Sequence, residues 1–117
     1  MDEGRWRSLG VLPELAEDQM TVRSVDGWQV VVAHARGALV AFSDRCPHQA
    51  TRLSTGRIRK GAIMCPLHGA RFALADGRCI GGAYTDLRVF RCRQVDGAIE
   101  VEMPEAAPTA ADLPAPA

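Results

Sequence analysis

Two short motifs constrain this chain more than anything else in it: Cys46-Pro47-His48 and Cys65-Pro66-Leu67-His68, with sixteen residues between them. Each pairs one thiol with one imidazole, and each sits between strand-like segments, so a fold that uses both must bring two loops to one place. The N-terminus, Met1-Asp2-Glu3-Gly4-Arg5, opens with acids and leads into no apolar stretch of the kind a secretion signal needs. No apolar run approaches the length of a membrane span. The chain is therefore expected in the cytoplasm, where thiols stay reduced, and four cysteines there point to metal or redox chemistry more than to disulfides.

The pairing has a chemical rationale in a [2Fe–2S] cluster in which two histidines replace two of the usual four cysteines, both on one iron. Each loop then gives its cysteine, Cys46 or Cys65, to one iron and its histidine, His48 or His68, to the other. Two ferric ions, two sulfides and two thiolates sum to zero charge, so an added electron leaves a less negative cluster than all-cysteine ligation does, and reduction is easier. Pro47 and Pro66 pre-set the backbone after each cysteine, and Gly69 lets the chain approach a cofactor closely. Backbone N–H groups in such turns can also be aimed at the sulfurs. Zinc is the main rival, since Cys2His2 is a normal tetrahedral set, although structural zinc motifs usually leave at least two residues between paired ligands and Cys46 and His48 have one. A cysteine nucleophile with a histidine base would explain one pair and leave the other idle.

Around the motifs the pattern is all-β, an antiparallel sandwich or small barrel. Asp26-Gly27 separates Met20–Val25 from Trp28–Ala33, Arg36-Gly37 precedes Ala38–Ser43, Asp76-Gly77 follows Phe72–Leu74, and Asp96-Gly97 joins Leu87–Val95 to Ala98–Met103. Asp-Gly favours the positive φ angles of primed hairpin turns, so its three occurrences predict hairpins. Trp28–Ala33 is rich in β-branched residues, as a buried strand should be. One helical turn is expected at Pro13–Asp18. Aromatic residues make up 5% of the chain, so the core is expected to rest on Val, Ile, Leu and Ala. A single domain over 1–103 with ligand loops at about 44–72, and a disordered Pro/Ala-rich tail over 104–117 with four prolines, complete the organisation.

The formal net charge is zero, but residues 45–95 hold ten basic side chains against Asp76 and Asp86, a net of +8. Few aromatics lie between these cations to stack bases, which argues against nucleic acid. They are either a solvated surface or a field that steers an acidic partner, with Arg45 and Arg52 nearest the first motif. His34 reads as a solvated side chain, Cys79 and Cys92 as buried inert thiols, and Trp6 and Trp28 as packing residues.

Cys-Pro-His, sixteen residues, then Cys-Pro-Leu-His-Gly-Ala-Arg-Phe resembles the Rieske-type ferredoxins of multicomponent aromatic-ring-hydroxylating dioxygenase systems. The likeness spans roughly residues 5–103 and includes Trp6, Asp44-Arg45, Leu53-Ser54-Thr55-Gly56 and Asp76-Gly77. It implies two antiparallel sheets carrying a small cluster-binding subdomain. It also implies a monomeric electron carrier, itself no enzyme, which takes single electrons from an NAD(P)H-dependent flavin reductase and gives them to a terminal oxygenase. Rieske proteins of respiratory complexes carry an extra cysteine in each loop, where this chain has Thr51 or its neighbours and Leu67, so the loop disulfide is missing. A Pro-containing segment covers the cluster in many relatives; this chain has Gly81-Gly82-Ala83-Tyr84 there. Two other placements compete: the small Rieske subunit of an assimilatory nitrite reductase-type enzyme, some members of which lack the ligands, and the Rieske domain of an oxygenase, for which the chain is expected to be too short and His34 the only spare histidine.

Overall fold

The strand Trp28–Ala35 (β3) organises the molecule, because it is buried on both faces. A computed structural model of the chain describes residues 5–12, 15–47, 50–67, 69–82 and 85–114. Alternation along β3 sends Trp28, Val30 and Val32 into one apolar cluster and Val31, Ala33 and Ala35 into another. Its antiparallel neighbours are β2 (Met20–Val25) and β4 (Ala38–Ser43), and β4 in turn pairs with the short β9 (Val89–Phe90). This four-stranded sheet is the middle layer.

On one side lies a sheet of β1 (Arg5–Ser8), β11 (Ala98–Met103) and β10 (Cys92–Val95), in the order β1-β11-β10. It sends Ile99, Val101 and Met103 against Trp28, Val30, Val32, Ala41 and Phe90. On the other side lies the small sheet of β5 (Arg57–Arg59), β6 (Ala62–Met64), β7 (Arg71–Ala73) and β8 (Cys79–Gly81). Each of its first three strands turns one apolar side chain inward, Ile58, Ile63 and Phe72, onto Val31, Ala33 and Phe42. Full burial of such a side chain stabilises the fold by about 1.5–3 kcal/mol, so the small sheet is held to the middle one chiefly by this row. Four of the six aromatic residues, Trp28, Phe42, Phe72 and Phe90, are buried, so the few aromatics sit at the centre of an otherwise aliphatic core.

Hairpins form at Asp26-Gly27 and Asp96-Gly97, where both residues of each pair have positive φ. Arg36-Gly37 and Lys60-Gly61 make the same left-handed pair, the latter joining β5 to β6. Asp76-Gly77 differs. Only Gly77 has positive φ, the connection runs from Ala73 to Arg78, and the Asp76 carboxylate accepts from the Arg78 N–H at 3.0 Å. The expected single strand Leu87–Val95 is two strands, because the chain changes sheet at Arg91: β9 pairs with β4 and β10 with β11.

The helical turn expected at Pro13–Asp18 is not formed by the described residues 15–18; Pro13 and Glu14 lie outside them. Glu17 instead makes a parallel bridge to His34, and its carboxylate accepts from the Arg36 and Gly37 N–H groups. In the segment expected to be a disordered tail, the described residues reach Pro114. Thr109 and Asp112 cap a 3-10 turn over Ala110–Asp112 reciprocally, and the Leu113 carbonyl accepts from Arg45 Nε at 3.1 Å. Local capping and one long-range donor thus hold this turn, in a stretch that has few apolar side chains to bury. Among the described residues no helix is long and apolar enough to cross a membrane.

Candidate metal centre

The first ligand loop leaves β4 at Ser43 and the second leaves β6 at Met64, so both start from the same apolar cluster. One bond closes each. The Cys46 N–H donates to the Thr51 carbonyl at 2.9 Å, and the Cys65 N–H donates to the Ala70 carbonyl at 2.8 Å. Both run from a cysteine to the residue five places on, so the two cysteines occupy equivalent positions in their loops. Within the second loop Gly69 has φ of +73° and donates its N–H to the Cys65 carbonyl at 3.2 Å, a conformation that an L side chain strains.

Cys46 and Cys65 are 0% and 1% exposed, packed with Leu53, Ile58, Ala70 and Phe72. Two thiols brought from separate loops into one dry cluster are a soft donor pair, suited to an iron–sulfur centre. His48 and His68 lie outside the described residues, as do Gln49 and, in the segment expected to cover the cluster, Ala83 and Tyr84. The sulfur half of the donor set therefore fits the group that the sequence implies.

A brace between the loops explains why the residues around the motifs matter. Asp44, 0% exposed, accepts from the Ser54 N–H at 2.7 Å and from Ser54 Oγ at 2.8 Å, with Arg52 at 3.5 Å. Its own N–H donates to the Gln29 carbonyl at 2.9 Å, which ties the loop base to β3. Ser54 belongs to a 3-10 turn over Leu53–Thr55 that ends at Gly56. A Cβ on Gly56 would stand 2.1 Å from the Met64 carbonyl oxygen, so only glycine lets this turn cross the strand that leads into Cys65. The same turn is thus bound on one side to the residue two before Cys46 and pressed on the other against the residue one before Cys65. Sequence reasoning noted Asp44 and Leu53–Gly56 only as part of a resemblance; a buried carboxylate ten residues from a serine carries no local signature.

Two cavities flank the loops. One of about 190 Å³ lies between the first loop and the C-terminal turn, lined by Trp28, Arg45, Pro47, Asp86, Arg88 and Asp112 among others. Trp28 there packs edge-on to Phe90 at 5.8 Å with the Arg88 guanidinium 4.9 Å from its ring, and its buried Nε1 has no hydrogen-bond partner among the described residues. The N–H of Thr109 holds the Asp112 carboxyl below the usual carboxylate range, helped by the Thr109 hydroxyl, Arg88 and Arg45. The second cavity, about 360 Å³, abuts Cys65, Pro66 and Gly69.

The remaining candidates sit apart from the loops. His34 is half-buried on β3 opposite Leu39. Cys79 and Cys92 are half-buried free thiols that pack against different clusters, so they form no disulfide; burial pushes the Cys92 thiol up to about 11. Trp28 packs in the core as expected, and Trp6 lies under Arg91 and Arg93, whose guanidinium carbons are 5.5 and 3.9 Å from its ring.

Comparison with known proteins points the same way. The family model of the Rieske [2Fe-2S] domain matches residues 5–91. The chain is 32% identical over 99 residues to the anthranilate 1,2-dioxygenase ferredoxin subunit of Burkholderia cepacia, covering 84% of this chain and 92% of that protein. It is similar to the solved ferredoxin of carbazole 1,9a-dioxygenase from Nocardioides aromaticivorans IC177, with 25% identity, a TM-score of 0.73, and coverage of 81% and 96% of the two chains. A chain in the complex of reduced oxygenase and oxidized ferredoxin in carbazole 1,9a-dioxygenase shares the fold, with TM-score 0.75, 22% identity, and coverage of 83% and 92%. Neither a zinc module nor a nitrite reductase subunit is favoured by these likenesses. Paired loops with matched closures, two buried cysteines in one apolar cluster and the family match together lead to one conclusion: the chain belongs to the Rieske [2Fe-2S] domain family, as a ferredoxin-type electron carrier whose cluster is held by two cysteines and two histidines.

Proposed function

We propose that Cys46, His48, Cys65 and His68 hold the cluster, and that the chain passes single electrons from an NAD(P)H-dependent flavin reductase to a terminal oxygenase acting on an aromatic compound. The observation that carries this assignment is the matched pair of loops, each closed from its cysteine to the fifth residue on, with both cysteines in one dry cluster. When bound, the cluster supplies a one-electron couple. The residues of the chain keep it in place: Asp44, Ser54 and Gly56 fix the spacing of the loops, and Leu53, Ile58 and Phe72 exclude water from the cysteine side. Cys79 packs at the edge of the cluster that holds Cys46 and Cys65, on β8 outside the two loops, and Cys92 packs against the other cluster; neither belongs to the proposed ligand set. The chain acts as a cytoplasmic monomer and is itself no catalyst; the oxygenase selects the substrate.

Electron paramagnetic resonance of the reduced protein tests the reading, together with about two irons and two labile sulfides per chain. His48→Ala and His68→Ala should each abolish the Rieske signal, while His34→Ala should keep it. Stoichiometric zinc without sulfide, or a wild-type spectrum in His68→Ala, would overturn the assignment.

A further inference from the structure

The basic balance of residues 45–95 is not spread over the surface. Arg91 and Arg93 face Glu102 and Glu100, Arg52 is turned to the buried Asp44, and Arg45 donates to the Leu113 carbonyl. The other six have no carboxylate partner among the described residues: Arg88, which lies over Trp28, Arg78, and the four exposed cations gathered on the small sheet, Arg57, Arg59, Lys60 and Arg71. No acidic residue occurs between Asp44 and Asp76 to provide one locally.

Strand alternation places them together. With Ile58, Ile63 and Phe72 turned inward, β5, β6 and β7 present Arg57, Met64 and Arg71 outward in one register row, and Arg59 and Ala62 in the next. Arg71 continues the row across Gly81: a Cβ there would lie 2.7 Å from Arg71 Nε, so the glycine leaves room for the side chain to lie flat along the sheet. These residues line a cavity of about 450 Å³ floored by Ala62 and Met64 and edged by Ile80, which is 43% exposed. The cavity of about 360 Å³ beside Cys65, Pro66 and Gly69 shares Arg57, Arg59 and Met64 with it. The two make one trough, which begins at the Lys60-Gly61 turn and ends against the second ligand loop, whose Leu67 is 52% exposed.

We propose that this trough is a docking surface for an acidic, partly apolar face of the oxygenase. The inference rests on the carrier reading above and names which surface of the carrier the acceptor meets. Four like charges held side by side repel one another and favour a partner that brings carboxylates. The exposed Ile80 and Leu67, with the half-buried Met64 between the arginines, offer the apolar contact that a short-lived redox encounter uses. A partner seated there lies against the Cys65 loop, close to the centre that must exchange the electron. Arg45 and Arg52, nearest the first motif in sequence, are held by internal partners and are not the steering charges.

The test compares two variants of equal charge change, R57Q/R59Q/R71Q in the trough and R5Q/R91Q/R93Q on the opposite sheet. Both are prepared as cluster-loaded protein with wild-type resonance spectra. Stopped-flow oxidation of each reduced protein by its oxygenase is followed across ionic strength. The trough variant should lose about tenfold in second-order rate at low salt and recover near 0.5 M, while the other variant should stay within about twofold. Equal losses in the two variants, or a trough variant within twofold of wild type, would overturn the proposal. Saturable binding of a single-stranded 20-nucleotide probe that only the trough variant loses, with oxygenase rates unchanged, would also overturn it and assign the surface to nucleic acid. Failure of the wild-type protein to reduce the oxygenase at all is a separate result, and refutes the carrier reading instead.

Discussion

Replacing Asp44 by alanine tests the brace between the two loops. The carboxylate accepts two hydrogen bonds from Ser54, at 2.7 and 2.8 Å, and faces Arg52 at 3.5 Å. Hydrogen bonds to a charged acceptor contribute about 1.5–3 kcal/mol each. The Arg52 side chain is 37% exposed, so that pair adds less than about 1 kcal/mol. Asp44→Ala also leaves the Ser54 N–H without an acceptor, and the expected loss is about 3–5 kcal/mol. That is a large part of the roughly 5–15 kcal/mol that holds a domain of this size, and corresponds to a Tm lower by roughly 12–20 °C. Ser54→Ala removes only the hydroxyl bond, about 1.5–3 kcal/mol, and should be nearly silent once Asp44 is gone, because the two residues share that interaction. Thermal unfolding of the cluster-loaded variants by circular dichroism, with the visible absorbance followed in parallel, reads both fold and centre. A shift below about 4 °C for Asp44→Ala, or simple additivity with Ser54→Ala, would refute the brace.

Gly56→Ala should destabilise by about 3 kcal/mol and speed bleaching of the centre, since its Cβ would meet the Met64 carbonyl; an unchanged denaturation midpoint would show that the turn can move aside. Cys92, its thiol raised by burial, should resist iodoacetamide at pH 8 and react about tenfold faster per pH unit until about 11, so rapid labelling at neutral pH in mass spectra would contradict its packing. Because its pKa is higher folded than unfolded, stability should also decline as pH rises above 9, and Cys92→Ser should flatten that decline. Asp112 has the opposite sign: its lowered carboxyl holds the C-terminal turn above the unfolded pKa and releases it in acid. Asp112→Asn should therefore raise proteolysis after Pro108 at neutral pH and remove the acid dependence. The reduction potential should lie near the low end of the Rieske range, about −150 mV, because the loops lack a disulfide and Gly69–Phe72 carry no hydroxyl; a voltammetric value well above zero would show that other donors act.

Much of the fold was legible where a single residue type answers a single backbone demand. Asp26-Gly27 and Asp96-Gly97 form left-handed pairs because little else adopts that geometry cheaply, and Trp28–Ala33 is buried on both faces as its run of β-branched residues requires. Lys60-Gly61 makes the same turn, but lysine carries no preference for it, and only the glycine gave a signal. Asp76-Gly77 also joins an antiparallel pair, β7 to β8, but through a wider connection than the two-residue turn its letters suggest: the Gly77 N–H bonds back to the Ala73 carbonyl, and a Cβ on it would lie 2.1 Å from the Leu87 carbonyl oxygen. The change of sheet at Arg91 left no mark, since neither glycine nor proline interrupts the alternation there. Glu17 was read within its own segment, whereas its carboxylate answers N–H groups on the turn after β3, a partner that local pattern cannot supply.

The charges show the same limit from the other side. A count along the chain finds +8 between residues 45 and 95 and treats Arg45, Arg52 and Arg57 alike. Register separates them. Arg-Ile-Arg on β5, Ala-Ile-Met on β6 and Arg-Phe-Ala on β7 each put one apolar side chain inward, so every cation of the small sheet must face outward, where no acid of its own segment can reach it. Arg52 precedes the 3-10 turn that Asp44 binds, and its position follows that buried carboxylate instead. Alternation was available in the sequence; which strand lay beside which was not. The apolar row that seats the small sheet on the core is thus also what gathers four cations beside the ligand loop, so packing of the inner face sets the electrostatics of the outer one.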